Sequence, residues 1–160
     1  MSKVQISNFL STYNQLVHAT AGLTEEQLKW KAEPTSWSVT EVLAHLADHS
    51  IVVSFRIRDI LAATTAQLPV FNQDAWVSGQ YANSGYASDS LELFRSLLYY
   101  NSLLFERLSA EDWEKSGINF KGEIVKISDI VHSFTAHVER HLGQIERIKQ
   151  GAANASFVQK

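Results

Sequence analysis

Apolar residues recur along most of this chain at three- and four-residue intervals, the spacing of helices with one buried face. Between Val4 and Thr20 they stand at Ile6, Phe9, Leu10, Tyr13, Leu16 and Val17, which predicts a first long helix. Gly22 stops it, and Thr24-Glu25-Glu26-Gln27 forms a capping box that can start a short turn through Leu28 and Trp30 before Pro34 and Thr35. A second long helix is predicted from Val39 to about Ala63, with Ser38 as its cap and Glu41 reaching back to the Ser38 amide. Its inward side carries Val42, Leu43, Leu46, Ser50, Val53, Ile57 and Ile60. A third helix follows Ser88-Asp89 and sets Leu91, Phe94, Leu97, Leu98, Leu104, Phe105 and Leu108 on one face, with Asn101 inside the stripe. The fourth runs from Ser128 to Gln150.

The connections differ in kind. Thr64 to Ser90 spans roughly 25 residues, longer than a tight helix-to-helix turn needs, so it must cross the bundle. Asn72 or Asp74 can cap a short helix there through Trp76 and Tyr81, and Gly79, Asn83, Ser84 and Gly85 break any longer one. Its aromatics, Phe71, Trp76, Tyr81 and Tyr86, suit a structural cover or a lid. The stretch SGINFKGEIVKIS alternates apolar and polar residues between glycines and is expected to be extended or hairpin-like, whereas the tail after Gly151 is expected to be loosely ordered apart from Phe157 and Val158. The whole predicts one all-α domain.

Composition narrows the chemistry. The 160 residues carry 14 basic and 17 acidic side chains in mixed order, a formal charge of −3, with no basic block to neutralise a run of phosphates. Nucleic acid is therefore not an expected partner. No stretch approaches the roughly 18 apolar residues of a membrane span and MSKVQISNFL lacks an apolar signal core, so the expected location is the cytoplasm with no membrane partner. With no cysteine, metal ligands must come from histidine and carboxylate.

Histidines supply the candidate. His137 and His141 lie one turn apart, about 40° from each other around the fourth helix, inside the stripe of Ile130, Phe134, Val138, Ile145 and Ile148. Such a pair can chelate one ion, or each ring can bond a carbonyl or carboxylate. His132 falls on the opposite side and should be solvated. His45 and His49 form a second pair of the same spacing on the second helix. The helical wheel puts His45 at the stripe's edge and His49 nearer its centre, which favours His49 as the more buried. The Asn101 amide can fix packing or orient an imidazole.

Trp37-Ser38-Val39-Thr40-Glu41-Val42-Leu43-Ala44-His45-Leu46-Ala47-Asp48, followed about 90 residues later by His137-Val138-Glu139-Arg140-His141-Leu142-Gly143-Gln144-Ile145, resembles the DinB-like family of bacterial four-helix-bundle metalloproteins. Phe71-Asn72-Gln73-Asp74-Ala75-Trp76 and Leu108-Ser109-Ala110-Glu111-Asp112-Trp113 resemble family segments too. The resemblance implies a four-helix bundle with a long crossover between its second and third helices, and a divalent metal on His45, His137 and His141. Zinc or nickel suits three imidazoles best, and iron or manganese is compatible with the ligand type. His49 then becomes a pocket residue, a fourth ligand or a plain polar residue, and His49, Asn101, Trp37 and Trp76 are the expected pocket lining for a small-molecule substrate. The activity implied first is transfer of a low-molecular-weight thiol (bacillithiol, mycothiol or glutathione type) to a small electrophile. The alternatives are a metal-dependent hydrolase using metal-bound hydroxide, with His49 or Glu41 carrying the proton, and a non-catalytic stress-associated bundle. A homodimer formed through an apolar helix face is the expected assembly.

Overall fold

The computed structural model describes residues 3–63 and 69–158. Four long helices form the bundle: α1 (Lys3–Thr20), α3 (Val39–Leu61), α5 (Ala87–Phe105) and α7 (Ile127–Val158). Short helices α2 (Glu25–Lys29), α4 (Gln73–Gly79) and α6 (Ala110–Glu114) lie in the connections, together with a 3-10 turn at Ala82–Ser84. The fold is thus the expected four-helix bundle, and the stretch expected to be extended or hairpin-like is a hairpin. Strands β1 (Ser116–Ile118) and β2 (Ile124–Lys126) pair antiparallel with Gly117 opposite Val125, and Gly122, at φ 82°, takes the left-handed turn position.

Each of α1 and α3 packs against both α5 and α7, so α1 and α3 occupy one diagonal of the bundle and α5 and α7 the other. Four phenylalanines make the centre. The Phe9 ring lies 5.2 Å from Phe105 and 5.0 Å from Phe134, and Phe134 stacks at 5.8 Å on Phe94. Full burial of such a side chain stabilises the fold by about 1.5–3 kcal/mol. The apolar stripes read from the sequence meet here.

The start of α3 is held more firmly than a helix end usually is. Ser38 Oγ accepts the Glu41 amide (3.1 Å), Glu41 Oε2 accepts the Ser38 amide (2.8 Å), and Glu41 Oε1 accepts Lys31 Nζ (3.0 Å). Ser38 Oγ also donates to Asn83 Oδ1 (2.6 Å), which ties the helix start to the crossover. From Val39 to Asp48 every residue is buried, because α2, α4 and the 3-10 turn cover the side of α3 that the bundle does not. The crossover therefore packs down as a cover, with Asn72 capping α4. Residues 64–68 of that predicted connection lie outside the described residues.

Three boundaries differ from expectation: α5 ends at Phe105, so Leu108 lies beyond it. α3 ends at Leu61 rather than Ala63, which has left-handed φ 57°. The tail expected to be loose is helix: α7 continues through Val158, Ala152 is buried, and Trp30 lies over Gly151 so closely that a Cβ there would sit 2.8 Å from its ring. Gly151 is a seat for an indole, not a stop. The side chains of Phe157 and Val158 lie outside the described residues.

The Ser38 cap generates a stability prediction. Ser38→Ala removes the acceptor for the Glu41 amide and the tie to Asn83, and should lower unfolding free energy by about 1–2 kcal/mol in urea melts. A change within error would show that the cap contributes nothing.

Candidate metal centre

The pairing of α3 with α7 sets the site. His49 faces Phe134 and His137, while His45 faces His137 and His141, so the two helices run antiparallel through it. His137 Nε2 lies 3.1 Å from His45 Nε2 and 3.1 Å from His141 Nε2, and one nitrogen from each ring falls within 4.8 Å of the others. An imidazole nitrogen has a single in-plane site, either a lone pair or an N–H, and so makes one good hydrogen bond. Two such contacts at His137 Nε2 cannot both be hydrogen bonds. A cation accepting all three lone pairs removes the conflict, and ligand bonds of about 2.0–2.1 Å at tetrahedral angles put nitrogens about 3.3 Å apart. The residues present fit a divalent metal.

The surroundings agree with that tautomer. Gln144 Oε1 is 2.7 Å from His141 Nδ1 and accepts its hydrogen, which leaves the lone pair on Nε2. His45 Nδ1 and His137 Nδ1 are buried with no hydrogen-bond partner among the described residues. Burial, followed by repulsion from His141, lowers the pKa of His45 to about 4. Burial lowers that of His137 to about 2, with His49 the next cause, and burial lowers His141 as well. All three are neutral at pH 7, the form a metal binds.

The other residues singled out in the sequence fall in different places. His45 is fully buried and His49 only partly, the reverse of the wheel's preference, because α4 and Phe71 enclose the edge of α3 on which His45 stands. The His49 ring lies 4.0 Å from His137 and 5.6 Å from Phe134, with its Nδ1 buried and without a partner among the described residues, and burial lowers its pKa to about 3. Trp37 covers the site from the other side, 5.0 Å from His45 and 6.3 Å from His141 in a near-parallel stack. Trp76 touches no imidazole. It meets Phe71 edge-on at 5.1 Å, and Phe71 in turn stacks on His45 at 5.8 Å. Asn101 is not brought to the imidazoles: its amide accepts from Arg58 (2.7 Å) and donates to Ser54 (2.7 Å), further along α3. Glu41 is committed to the α3 cap and Lys31, which removes it as a proton carrier. His132 is exposed, as expected.

Reading the sequence did not single out Phe71 or Gln144 as site residues. Gln144, three residues after His141 on the same face, was available from spacing; Phe71 depends on the path of the crossover. Nor did it find the cavity of about 240 Å³ that opens beside His49 and His137, between α3, α7 and the hairpin, where Arg56 and Arg140 line the wall.

Comparison with known proteins identifies the family and the fold. The family model of the DinB superfamily matches residues 8–145, and the chain belongs to that superfamily. A Bacillus licheniformis protein named "Putative metal-dependent hydrolase" is 29% identical over 129 residues, covering 80% of this chain and 73% of its own. An Oceanobacillus iheyensis protein of the same designation is 22% identical over 138 residues, 86% of this chain and 79% of its own. Among solved structures, YfiT from Bacillus subtilis, described as a probable metal-dependent hydrolase with an unusual four-helix bundle topology, matches with a TM-score of 0.85 at 21% identity, over 94% of this chain and 89% of that one. The mycothiol-dependent maleylpyruvate isomerase matches with a TM-score of 0.70 at 10% identity, over 89% of this chain and 60% of that one. These two likenesses show the fold. The relatives' names favour hydrolysis over the thiol transfer that the sequence reading put first. Among the described residues no helix is long and apolar enough to cross a membrane.

Burial of neutral histidines makes stability depend on pH. His45, His49 and His137 have folded pKa values below the unfolded value of 6.5, so below that pH the unfolded chain binds more protons than the folded one. Their contribution is fully present above pH 6.5 and is lost as pH falls toward 4 and below. Urea midpoints of chelator-treated protein should drop between pH 7 and 4.5, and His49→Phe, with one titrating group fewer, should show a shallower drop. Equal slopes would contradict the burial of His49.

Proposed function

We propose that this member of the DinB superfamily is a metal-dependent hydrolase whose divalent cation is held by His45, His137 and His141. The observation that carries the proposal is the double 3.1 Å contact at His137 Nε2, which hydrogen bonding cannot satisfy. Zinc or nickel suits the all-nitrogen donor set. A divalent cation there supplies Lewis acidity and lowers the pKa of a bound water toward neutrality.

The chain's own residues do the rest. Gln144 holds the His141 proton on Nδ1 and keeps Nε2 available. Trp37 and Phe71 cover the two faces of the site beside His45 and exclude water there, which strengthens electrostatic interactions inside. His49, neutral and 4.0 Å ring to ring from His137, stands where an imidazole can take a proton from the attacking water and return it to the leaving group. The cavity beside it admits a small substrate.

A second reading rests on the fold shared with the mycothiol-dependent isomerase. In it His45, His137 and His141 would hold the same cation, which would supply the acidity that makes a low-molecular-weight thiol nucleophilic.

Elemental analysis of protein purified without a histidine tag, followed by ester and amide hydrolysis assays beside a panel of thiols with electrophiles, tests both. We expect about one divalent cation per chain and ester turnover without added thiol. His141→Ala should lose metal and turnover together. His49→Gln should keep the metal and lose roughly 10²- to 10⁴-fold in rate. Turnover only with thiol would replace the first reading by the second, and metal without turnover in any assay would remove both.

A further inference from the structure

The cavity beside the histidines carries a charge pattern that a neutral substrate would not need. Arg56 of α3 and Arg140 of α7 both line it, and no carboxylate among the described residues pairs with either. Arg56 donates through Nη2 to the Pro69 carbonyl (3.1 Å), while its Nε is buried with no acceptor among the described residues. Leaving a buried guanidinium donor unsatisfied costs free energy unless something else accepts from it. Asp129, the acidic residue of the lining, accepts the Lys126 amide at the start of α7 (3.3 Å). Arg56 and Arg140 against Asp129 give the lining more guanidinium than carboxylate groups, in a chain whose formal charge is −3.

The remaining wall is mostly apolar, from Val53, Phe120, Val125, Ile130 and Phe134, with Ser133 adding a hydroxyl and Asn119 an amide. A cavity with two guanidinium groups in its lining and apolar side chains over much of the rest suits a small organic anion better than an inorganic one. Guanidinium binds carboxylate through paired, charge-assisted hydrogen bonds, and the low-dielectric wall strengthens them. His49 and His137 line the same cavity, so an anion anchored on the arginines keeps its body next to the proposed metal centre.

We infer that Arg56 and Arg140 bind the carboxylate of a small organic acid, and that the substrate hydrolysed is a carboxylate-bearing ester or amide with an apolar body. The substrate assignment rests on the hydrolase reading; the anion site itself does not.

Calorimetric titration of benzoate into the purified full-length protein, with its metal content measured, tests the site against neutral benzamide and against inorganic phosphate. Benzoate should bind at least about tenfold more tightly than benzamide, and added salt should weaken it. Arg140→Gln and Arg56→Met should each weaken benzoate about tenfold or more while metal content and benzamide binding stay the same. Arg140 is exposed, so its variant remains decisive even where Arg56→Met fails to fold. Benzoate binding that survives Arg140→Gln, or that vanishes on chelation with both arginines intact, overturns the site, and tighter binding of phosphate than of benzoate overturns the carboxylate class. Arginine-dependent benzoate binding in a protein that hydrolyses no ester upholds the site and removes the hydrolase reading. Equal hydrolysis of neutral and carboxylate-bearing esters, with no benzoate binding, does the reverse.

Discussion

Three imidazole nitrogens meeting in a space where hydrogen bonds cannot serve them all is the constraint on which the rest of this molecule turns. His45 and His137 are 92 residues apart in the chain, yet their Nε2 atoms lie 3.1 Å apart. Neutral rings there share at most one hydrogen bond at His137 Nε2, a weak tie between α3 and α7, and the buried Nδ1 atoms of His45 and His137 lack partners among the described residues. Hydrophobic burial along the two helices has to bring the rings together first. A cation that then satisfies them adds its binding free energy to the folding free energy of the bundle.

The two sides of this centre differ in chemistry. Trp37 and Phe71 lie against His45 on flanks built by the chain before α3 and by the crossover, and the double cap at Ser38 and Glu41 fixes where that part of α3 begins. The opposite side, past His49, opens into a cavity with two arginines. A dry aromatic cover on one side and a charged opening on the other give the site a direction, so that a ligand entering past His49 meets the imidazoles in one orientation.

Much of this was legible in the sequence because helices declare themselves by period, and two histidines one turn apart in an apolar stripe declare a shared face. The ranking of His45 and His49 was not, since a wheel assigns one buried side to a helix, whereas the first half of α3 is covered all round by the bundle and the crossover. Asn101 read correctly as a buried amide, but its partners Ser54 and Arg58 come from another helix and have no local signature. Gly151 read as a stop because nothing nearby in sequence announces that Trp30 will rest on it. Arg56 and Arg140 each look like solvated residues on amphipathic helices; only the α3 to α7 pairing and the fold of the hairpin bring them to one cavity. Water and thiol chemistry at three imidazoles use the same ligands, which is why motif resemblance alone does not rank one above the other.

The β1 to β2 hairpin contributes Phe120 and Val125 to the cavity while providing no imidazole and taking no place between the four long helices. Its residues Ile118, Phe120 and Ile124 are exposed, so replacing them removes little from the hydrophobic core. Selection can therefore rework this short insert, altering which molecules are admitted, while the metal ligands and the bundle stay as they are. Divergence of preference among chains that share this scaffold would be expected to concentrate there, at the part whose change endangers folding least.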